Sequence, residues 1–413
     1  TVFSSLAVFR GGCDRAAART VLGVGPRELM KLVDKSLLER GSDKRYRMHE
    51  VVRVYAEEKL ATKPERREKL RLAHVHYYND FLQQRRRFLR REEGATLQEC
   101  RRESDNLNAA YGYVLNTGDR ELIADYLEAF SAYVNATYRH REHLELSRRG
   151  LELLPRRDDR ADGLLLAAQS SSLASLGRYK ESIDYARRSY EIFDKLDDVR
   201  NAYYVIYRLG AAYFRTFQID KAREYFTKAL ELARRLDKPM SLASALLAIG
   251  DIENASGNLH QGLEYCNEAL EINRREGRRT GVVNCLITVA DIYNHLGDLR
   301  TAYEHHAEAV RIADEITYLH GSALGRSALS EVGNKLHRGR DNVIAARRSL
   351  ELFQEIGDVY WQNNARCELG IALTDEGQYD EGRRMLESAL SSYREEGVSA
   401  LIAYVERYLG RLE

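Results

Sequence analysis

Proline is nearly absent from this 413-residue chain, with four in all, and glycine is modest at 28. Scarcity of both disfavours a succession of β-turns or long linkers and suits an all-helical protein. The five cysteines (Cys13, Cys100, Cys266, Cys285, Cys367) are odd in number, widely separated and never in a CxxC pair. Neither a disulfide framework nor a zinc site is supported, and a reducing cytoplasm is the expected setting. No apolar run approaches the roughly eighteen residues that a membrane span requires. The N-terminus has neither the basic segment nor the apolar stretch of a secretory signal. No charge of one sign dominates: 64 Lys+Arg against 63 Asp+Glu exclude a uniformly basic nucleic-acid coat and a polyanionic tail. The balance is uneven along the chain, since residues 1–104 carry 24 Lys+Arg and 15 Asp+Glu and the remainder 40 and 48, which predicts two regions with different jobs. What is present, 44% apolar and 31% charged residues, is enough to bury a large core in a soluble globular protein. The first residue is Thr1 rather than Met, so the chain is expected to be part of a longer polypeptide.

A repeat of forty residues organises the larger part. Small residues recur as Ser170, Gly210, Gly250, Ala290, Ser330, Gly370 and Gly410, preceded from the second onward by Leu209, Ile249, Val289, Leu329, Leu369 and Leu409. Seven residues further on, Gly177, Phe217, Gly257, Gly297, His337 and Gly377 mark six turns. Each turn is followed by an amphipathic segment with its own small-residue columns: Ser182, Ala222, Gly262, Ala302 and Gly382, then Ser189, Ala229, Ala269, Ala309, Ser349 and Ala389. Small-to-large alternation at helical spacing predicts two helices per unit, packed closely where side chains are small.

The lines "YRLGAAYFRTFQIDKAREYFTKALELA" and "LGIALTDEGQYDEGRRMLESAL" carry a spacing that resembles the tetratricopeptide repeat, at a period of forty rather than thirty-four. Units are expected at about 162–201, 202–241, 242–281, 282–321, 322–361 and 362–401, with a divergent first unit at 122–161 and a partial capping helix at 402–413. His337 and Asn342 make the fifth unit irregular, which predicts a kink. The resemblance implies a right-handed superhelical solenoid whose first helices line a concave groove for proteins or peptides. In that register Asp251, Asp291 and Glu331 form one groove column, and Asn254, Asn294 and Asn334 another three residues along. Stacked carboxamides suit a peptide backbone, and adjacent carboxylates suit a basic or amino-terminal group. Asn284 and Asn364 share a neighbouring column, and Tyr204, Tyr207 and Phe214 with Arg215 predict an aromatic wall near one end. Most of the 26 tyrosines are expected to pack between helices. His305 and His306 are read as packing or surface residues.

Residues 1–62 read as short helices and a hairpin leading into another helix, the order of a winged helix. "LAVFRGG", "LVDKSLL" and "YRMHEVVRVYAEEKL", with the later "ESDNLNAAYGYVLNTGD", resemble the winged-helix and joining segments of NB-ARC-type signal-transduction ATPases (the STAND class), including bacterial transcription regulators with C-terminal tetratricopeptide arrays. The resemblance implies three parts: a winged-helix domain at 1–62, a helical linker at 63–121 and the repeat array at 122–413. Met48-His49-Glu50 occupies the place of that family's Met-His-Asp, whose histidine touches the β-phosphate of bound ADP. This gives His49 a nucleotide-sensing role in the parent, with Glu50 departing from the pattern.

No GxxxxGK[ST] loop, GxSxG or HExxH motif occurs, so no catalytic residue, metal site or cofactor is assigned to this chain. ADP or ATP would belong to the parent's nucleotide-binding core. The basic run Arg85, Arg86, Arg87, Arg90 and Arg91 is read as a solvated face or a contact to an acidic neighbour rather than a phosphate-binding strip. The expectation is therefore a cytoplasmic, all-α, non-catalytic sensor that takes an inducer peptide or protein segment in the groove and relays it to the nucleotide-binding core of the same polypeptide. A small-molecule inducer stays open. Two rivals remain: a DNA-binding transcription regulator using Arg27, Lys31 and Lys35, and an assembly scaffold for protein–protein interaction without switching. No membrane partner is expected.

Overall fold

A computed structural model describes residues 1–89, 94–137, 139–336, 338–396 and 399–410. The chain folds as two compact units, Thr1–Asp198 and Val199–Glu413.

The first unit opens with α1 (Val2–Ser5), a 3-10 turn (Leu6–Val8), α2 (Arg15–Leu22) and α3 (Pro26–Val33). Two short strands, β1 (Glu39–Arg40) and β2 (Tyr46–Arg47), lead into α4 (Glu50–Ala61). The Asp14 carboxylate caps α2 by accepting the Ala17 N–H at 2.8 Å, and Pro26 sets the first turn of α3, where no N–H is needed. The strands pair antiparallel, and Cys13 adds a bridge to Tyr46 on the far side. Helices α5 (Pro64–Leu89), α6 (Gly94–Arg102) and α7 (Ser104–Thr117) follow. A buried ion pair locks the hairpin to them: Arg45 donates to both Glu103 oxygens, and Glu103 Oε2 also accepts from Tyr78 Oη and Asn106 Nδ2, each at 2.8 Å. Asn106 reaches back to the Gly12 carbonyl at 2.9 Å and accepts the Arg10 N–H at 2.7 Å.

The unit closes with α8 (Arg120–Thr137), α9 (His140–Leu153), α10 (Arg160–Ser175) and α11 (Tyr179–Lys195). Its aromatic core is Tyr111, Tyr126, Phe130 and Tyr133, all buried, with Tyr111 and Phe130 centroids 4.9 Å apart.

The second unit is a row of helical hairpins: α12 (Val199–Arg215) with α13 (Ile219–Arg235), α14 (Pro239–Ala255) with α15 (Leu259–Arg275), and α16 (Arg279–Leu296) with α17 (Leu299–Glu315). Then come α18 (Leu319–Lys335) with α19 (Arg340–Ile356), α20 (Val359–Asp375) with α21 (Tyr379–Glu396), and α22 (Ser399–Leu409). The pairs start two or three residues ahead of the unit edges read from the small-residue columns, because those columns mark the packed middle of the first helix rather than its first turn.

Helices end on a twenty-residue beat. Gly177, Asp197, Phe217, Asp237, Gly257, Gly277, Gly297, Thr317, Gly357 and Gly377 all take positive φ, and His337, in step with them, lies outside the described residues. At all of these but Asp237 the following N–H closes on the carbonyl five residues back, as Gln218 does on Tyr213 at 3.0 Å and Asn258 on Glu253 at 2.8 Å. This left-handed cap satisfies carbonyls that the helix leaves open.

Within hairpins the small residues allow close approach. A Cβ at Gly210 would sit 2.8 Å from the Phe226 ring, one at Gly370 2.7 Å from Leu386, and one at Gly250 would overlap the Cys266 sulfur. In the pair of α18 and α19, the fifth hairpin counted from α10 and α11, the sizes are exchanged: buried Asn342 stands where other units have a small residue, and Gly333 opposite leaves room for its carboxamide. The irregular sequence there corresponds to this exchange and to a joint one residue longer, ending in Gly339 at φ 57°.

Candidate functional site

The first helices of the second unit stand side by side, so residues forty apart repeat on one face. The row curves strongly: the Arg215 guanidinium on α12 lies 5.0 Å from the Trp361 ring on α20, although α14, α16 and α18 come between them in sequence.

On that face the three asparagines are engaged rather than free. Asn294 donates to Glu331 at 3.2 Å and accepts from Lys335 Nζ at 2.9 Å, and Lys335 also reaches Glu331 at 2.9 Å. One repeat earlier the same geometry recurs with Asn254, whose Oδ1 lies 2.7 Å from His295 Nδ1. Both contacts join residues forty-one apart, so each asparagine receives the last-turn base of the next first helix. The third member breaks the series: Asn334 accepts from Asn342 at 3.0 Å, and its Nδ2 is buried without an acceptor. The column was legible in the sequence. Its bases, His295 and Lys335, were missed, though they too stand forty apart.

The acidic column is crowded. Burial pushes the Asp251 carboxyl up to about 7, with Asp291 adding to the rise and the Thr288 hydroxyl and Arg215 opposing it. Glu368 on α20, which no sequence pattern singles out, is pushed by burial up to about 8, with Glu331 contributing, and its Oε2 is buried without a partner. Burial raises Glu331 as well, but Lys335 and Asn294 hold it below the ordinary carboxylate range. Behind Asp291 stands His306, fully buried in register with the packing residues Phe226 and Cys266. Its Nε2 is 3.4 Å from Asp291 Oδ1, and neither ring nitrogen makes a hydrogen bond. His305 stacks on Tyr293 with centroids 5.7 Å apart.

The other candidates divide. Asn284 and Asn364 each accept from a tyrosine hydroxyl, Tyr318 at 3.4 Å and Tyr393 at 2.7 Å. Tyr204 is exposed, whereas Tyr207 packs 5.4 Å from buried Phe226 and burial pushes its phenol up to about 12. Phe214 is half-buried. Near this end Arg208 and Arg278, also missed from sequence, have their pKa values lowered by burial among tyrosine hydroxyls.

In the first unit His49 is the N-cap residue of α4, exposed and without a side-chain cap bond. A cleft of about 770 Å³ opens beside it, lined by Met48, Glu50, Arg10 and Arg53 among others. Its arginines are paired, Arg10 with Glu57 at 3.1 Å and Arg53 with Glu57 at 2.7 Å. Of the basic run, Arg85 bonds Glu99 and lies over the Phe81 ring, and Arg86 bonds Glu128 at 2.8 Å. The side chain of Arg87 and all of Arg90 and Arg91 lie outside the described residues. Arg27, Lys31 and Lys35 are all exposed. Among the described residues no group of three His, Cys, Asp or Glu side chains could hold a metal ion, and no helix is long and apolar enough to cross a membrane.

Residues 163–235 and 241–315 match the tetratricopeptide repeat family. No curated protein sequence matches the chain. Among solved structures, a signal transduction ATPase with numerous domains (STAND) protein with a tetratricopeptide repeat sensor, from Pyrococcus horikoshii, is similar with a TM-score of 0.67 at 17% identity; the match covers 99% of this chain and 59% of that one. A Rap protein complexed with Competence and Sporulation Factor is similar at 0.56 and 13% identity, over 82% of this chain and 97% of that one. The apo quorum sensor NprR from B. thuringiensis gives 0.54 and 14%, over 88% and 96%. At such identities the likeness is one of fold, and this chain spans 59% of the length of the STAND protein.

Proposed function

We propose that this chain is the non-catalytic sensor and relay portion of a signal-transduction ATPase of the STAND class, and that its inner repeat face captures an inducer peptide or protein segment. The observation that carries the reading is the extent of the fold match. It takes in 99% of the chain, the helix-and-hairpin module before the repeats included. A Rap protein complexed with a sporulation factor shares the fold, which supports a peptide or protein as the inducer. Two helices, a bridged hairpin and α4 follow the order of a winged helix, and exposed His49 at the N-cap of α4 is suited to an anion at the helix start.

In this reading the inducer binds one curvature of the hairpin row better than another, since a ligand with equal affinity for both would shift nothing. The change passes through the winged helix to a nucleotide-binding core carried elsewhere in the same cytoplasmic polypeptide, where ADP or ATP would bind. The chain itself needs no cofactor.

The test is retention from host lysate on the immobilised chain, beside an Asn254→Ala, Asn294→Ala, Asn334→Ala chain, with bound peptides, proteins and metabolites identified by mass spectrometry. A species kept by the first and lost by the second is expected. Identical retention on both would remove the inner face from the reading.

A further inference from the structure

We infer that the inner face holds a receiving site for an organic cation, an alkylammonium or guanidinium group of the inducer, built from Asp251, Asp291, Glu331 and Glu368 with His306 backing Asp291. The inference rests on the sensor reading above and specifies the chemistry of what that face takes.

Four carboxylates follow one another along α14, α16, α18 and α20, and their mutual influence runs in pairs, Asp251 with Asp291 and Glu331 with Glu368. Lys335 answers Glu331 directly, at 2.9 Å. Asp251 and Glu368 are left holding protons near neutral pH, at about 7 and about 8, a state that an incoming cation relieves.

His306 is fully buried, its two ring nitrogens have no hydrogen-bond partner, and Nε2 lies 3.4 Å from Asp291 Oδ1. Buried polar atoms are nearly always satisfied. The imidazole stands behind a carboxylate that is itself 41% exposed, which leaves Asp291 open to a partner arriving on the inner face.

No three acidic, histidine or cysteine groups among the described residues converge tightly enough for a metal ion. Spacing across separate helices instead suits a group several ångströms wide with several donors, as an ammonium on an alkyl chain or a planar guanidinium provides. Lys335 already shows the mode: its Nζ sits at 2.9 Å from both Glu331 and the Asn294 carboxamide. One repeat earlier His295 takes the carboxamide and leaves Asp291 without such an ammonium.

The experiment measures retention of seven-residue peptide libraries whose central position is fixed as Lys or Arg, or as norleucine, each with free or acetylated N-terminus, and titrates spermidine calorimetrically in parallel. The chain is compared with Asp251→Asn/Asp291→Asn and with Glu368→Gln, each checked for an unchanged or raised Tm. Basic or free-amine members are expected to be retained at least tenfold over acetylated norleucine members, with a tenfold loss in the double variant. Spermidine binding that shows the same loss, without peptide retention, keeps the cation site and overturns the peptide inducer. Equal retention of norleucine and basic members overturns the cation site and leaves the sensor reading standing, and absence of any binding also overturns the site. If the double variant fails to fold, Glu368→Gln decides: a loss under threefold refutes the proposal.

Discussion

Asp251→Asn is expected to stabilise the second unit at neutral and higher pH, although it removes a residue from the candidate site. The carboxyl ionises near 3.8 in an unfolded chain and at about 7 in the folded one. Between those values the folded chain binds the extra proton, so stability falls as pH rises from about 4 to about 7 and is flat beyond. The full displacement corresponds to about 4 kcal/mol. Asp251 is half-buried, and solvent reaching it through the face reduces the share felt by the fold to about 1–2 kcal/mol. Burial sets most of the displacement, the Thr288 hydroxyl and Asp291 on α16 and Arg215 on α12 adjust it, and the substitution alters none of these neighbours. Thermal unfolding of both chains from pH 4 to pH 8 would give coincident Tm values at the acid end and a gap opening to about 2–8 °C in favour of the variant at pH 8. Parallel curves, or a gap closing with pH, would refute the account of Asp251 as a strained acid.

Three further outcomes follow from the packing. Gly250→Ala should cost about 1–3 kcal/mol, because the added methyl overlaps the Cys266 sulfur, and Cys266→Ala in the same chain should recover most of it, giving a small pair like that of Ser330 and Ala346 in the fifth hairpin; additive losses in urea titrations would contradict the contact. Arg45→Met should cost about 3–5 kcal/mol by leaving Glu103 buried and uncompensated, and Glu103→Gln should lessen the loss; equal instability of single and double variants would point to another cause. Phe217→Gly should raise stability by about 1 kcal/mol, since a phenylalanine at φ 57° with a ring 62% exposed has backbone strain and little packing to lose; a lower Tm would show that the ring is held by something else.

The repeat was legible because close helix packing forces small residues into fixed columns, so Gly210, Gly250 and Gly370 declare the period by their spacing alone. The asparagine and acid columns followed from the same register. What could not be read was which atoms they already hold. The bonds from His295 to Asn254 and from Lys335 to Asn294 run between neighbouring hairpins, and nothing in a column of asparagines distinguishes an engaged carboxamide from an open one. Glu368 was hidden for a different reason: its column reads Arg208, Ala248, Thr288, Ala328, Glu368, with no repeated chemistry to notice. The contact of Arg215 with Trp361 was out of reach of any local rule, because it depends on curvature accumulated over four hairpins. In the first unit, "ESDNLNAAYGYVLNTGD" stood out as a joining segment, but its Glu103 and Asn106 declare their role only when Arg45 and Gly12 are beside them.

These features together constrain how the face would respond to a ligand. Stability in stacked hairpins is a sum over neighbouring interfaces, and the carboxylates of the candidate site come from four successive first helices. A cation bound among them therefore strengthens several interfaces at once instead of one. The contact that spans the whole row, Arg215 against Trp361, is the one most sensitive to small equal changes at each interface, because displacements along the row accumulate there. Arg215 also lies within electrostatic range of both Asp251 and Asp358, so a change of charge at Asp251 acts on the residue that makes this contact. On the proposed cation site, ligand charge would be coupled to curvature of the row through Arg215, a residue that need not touch the ligand.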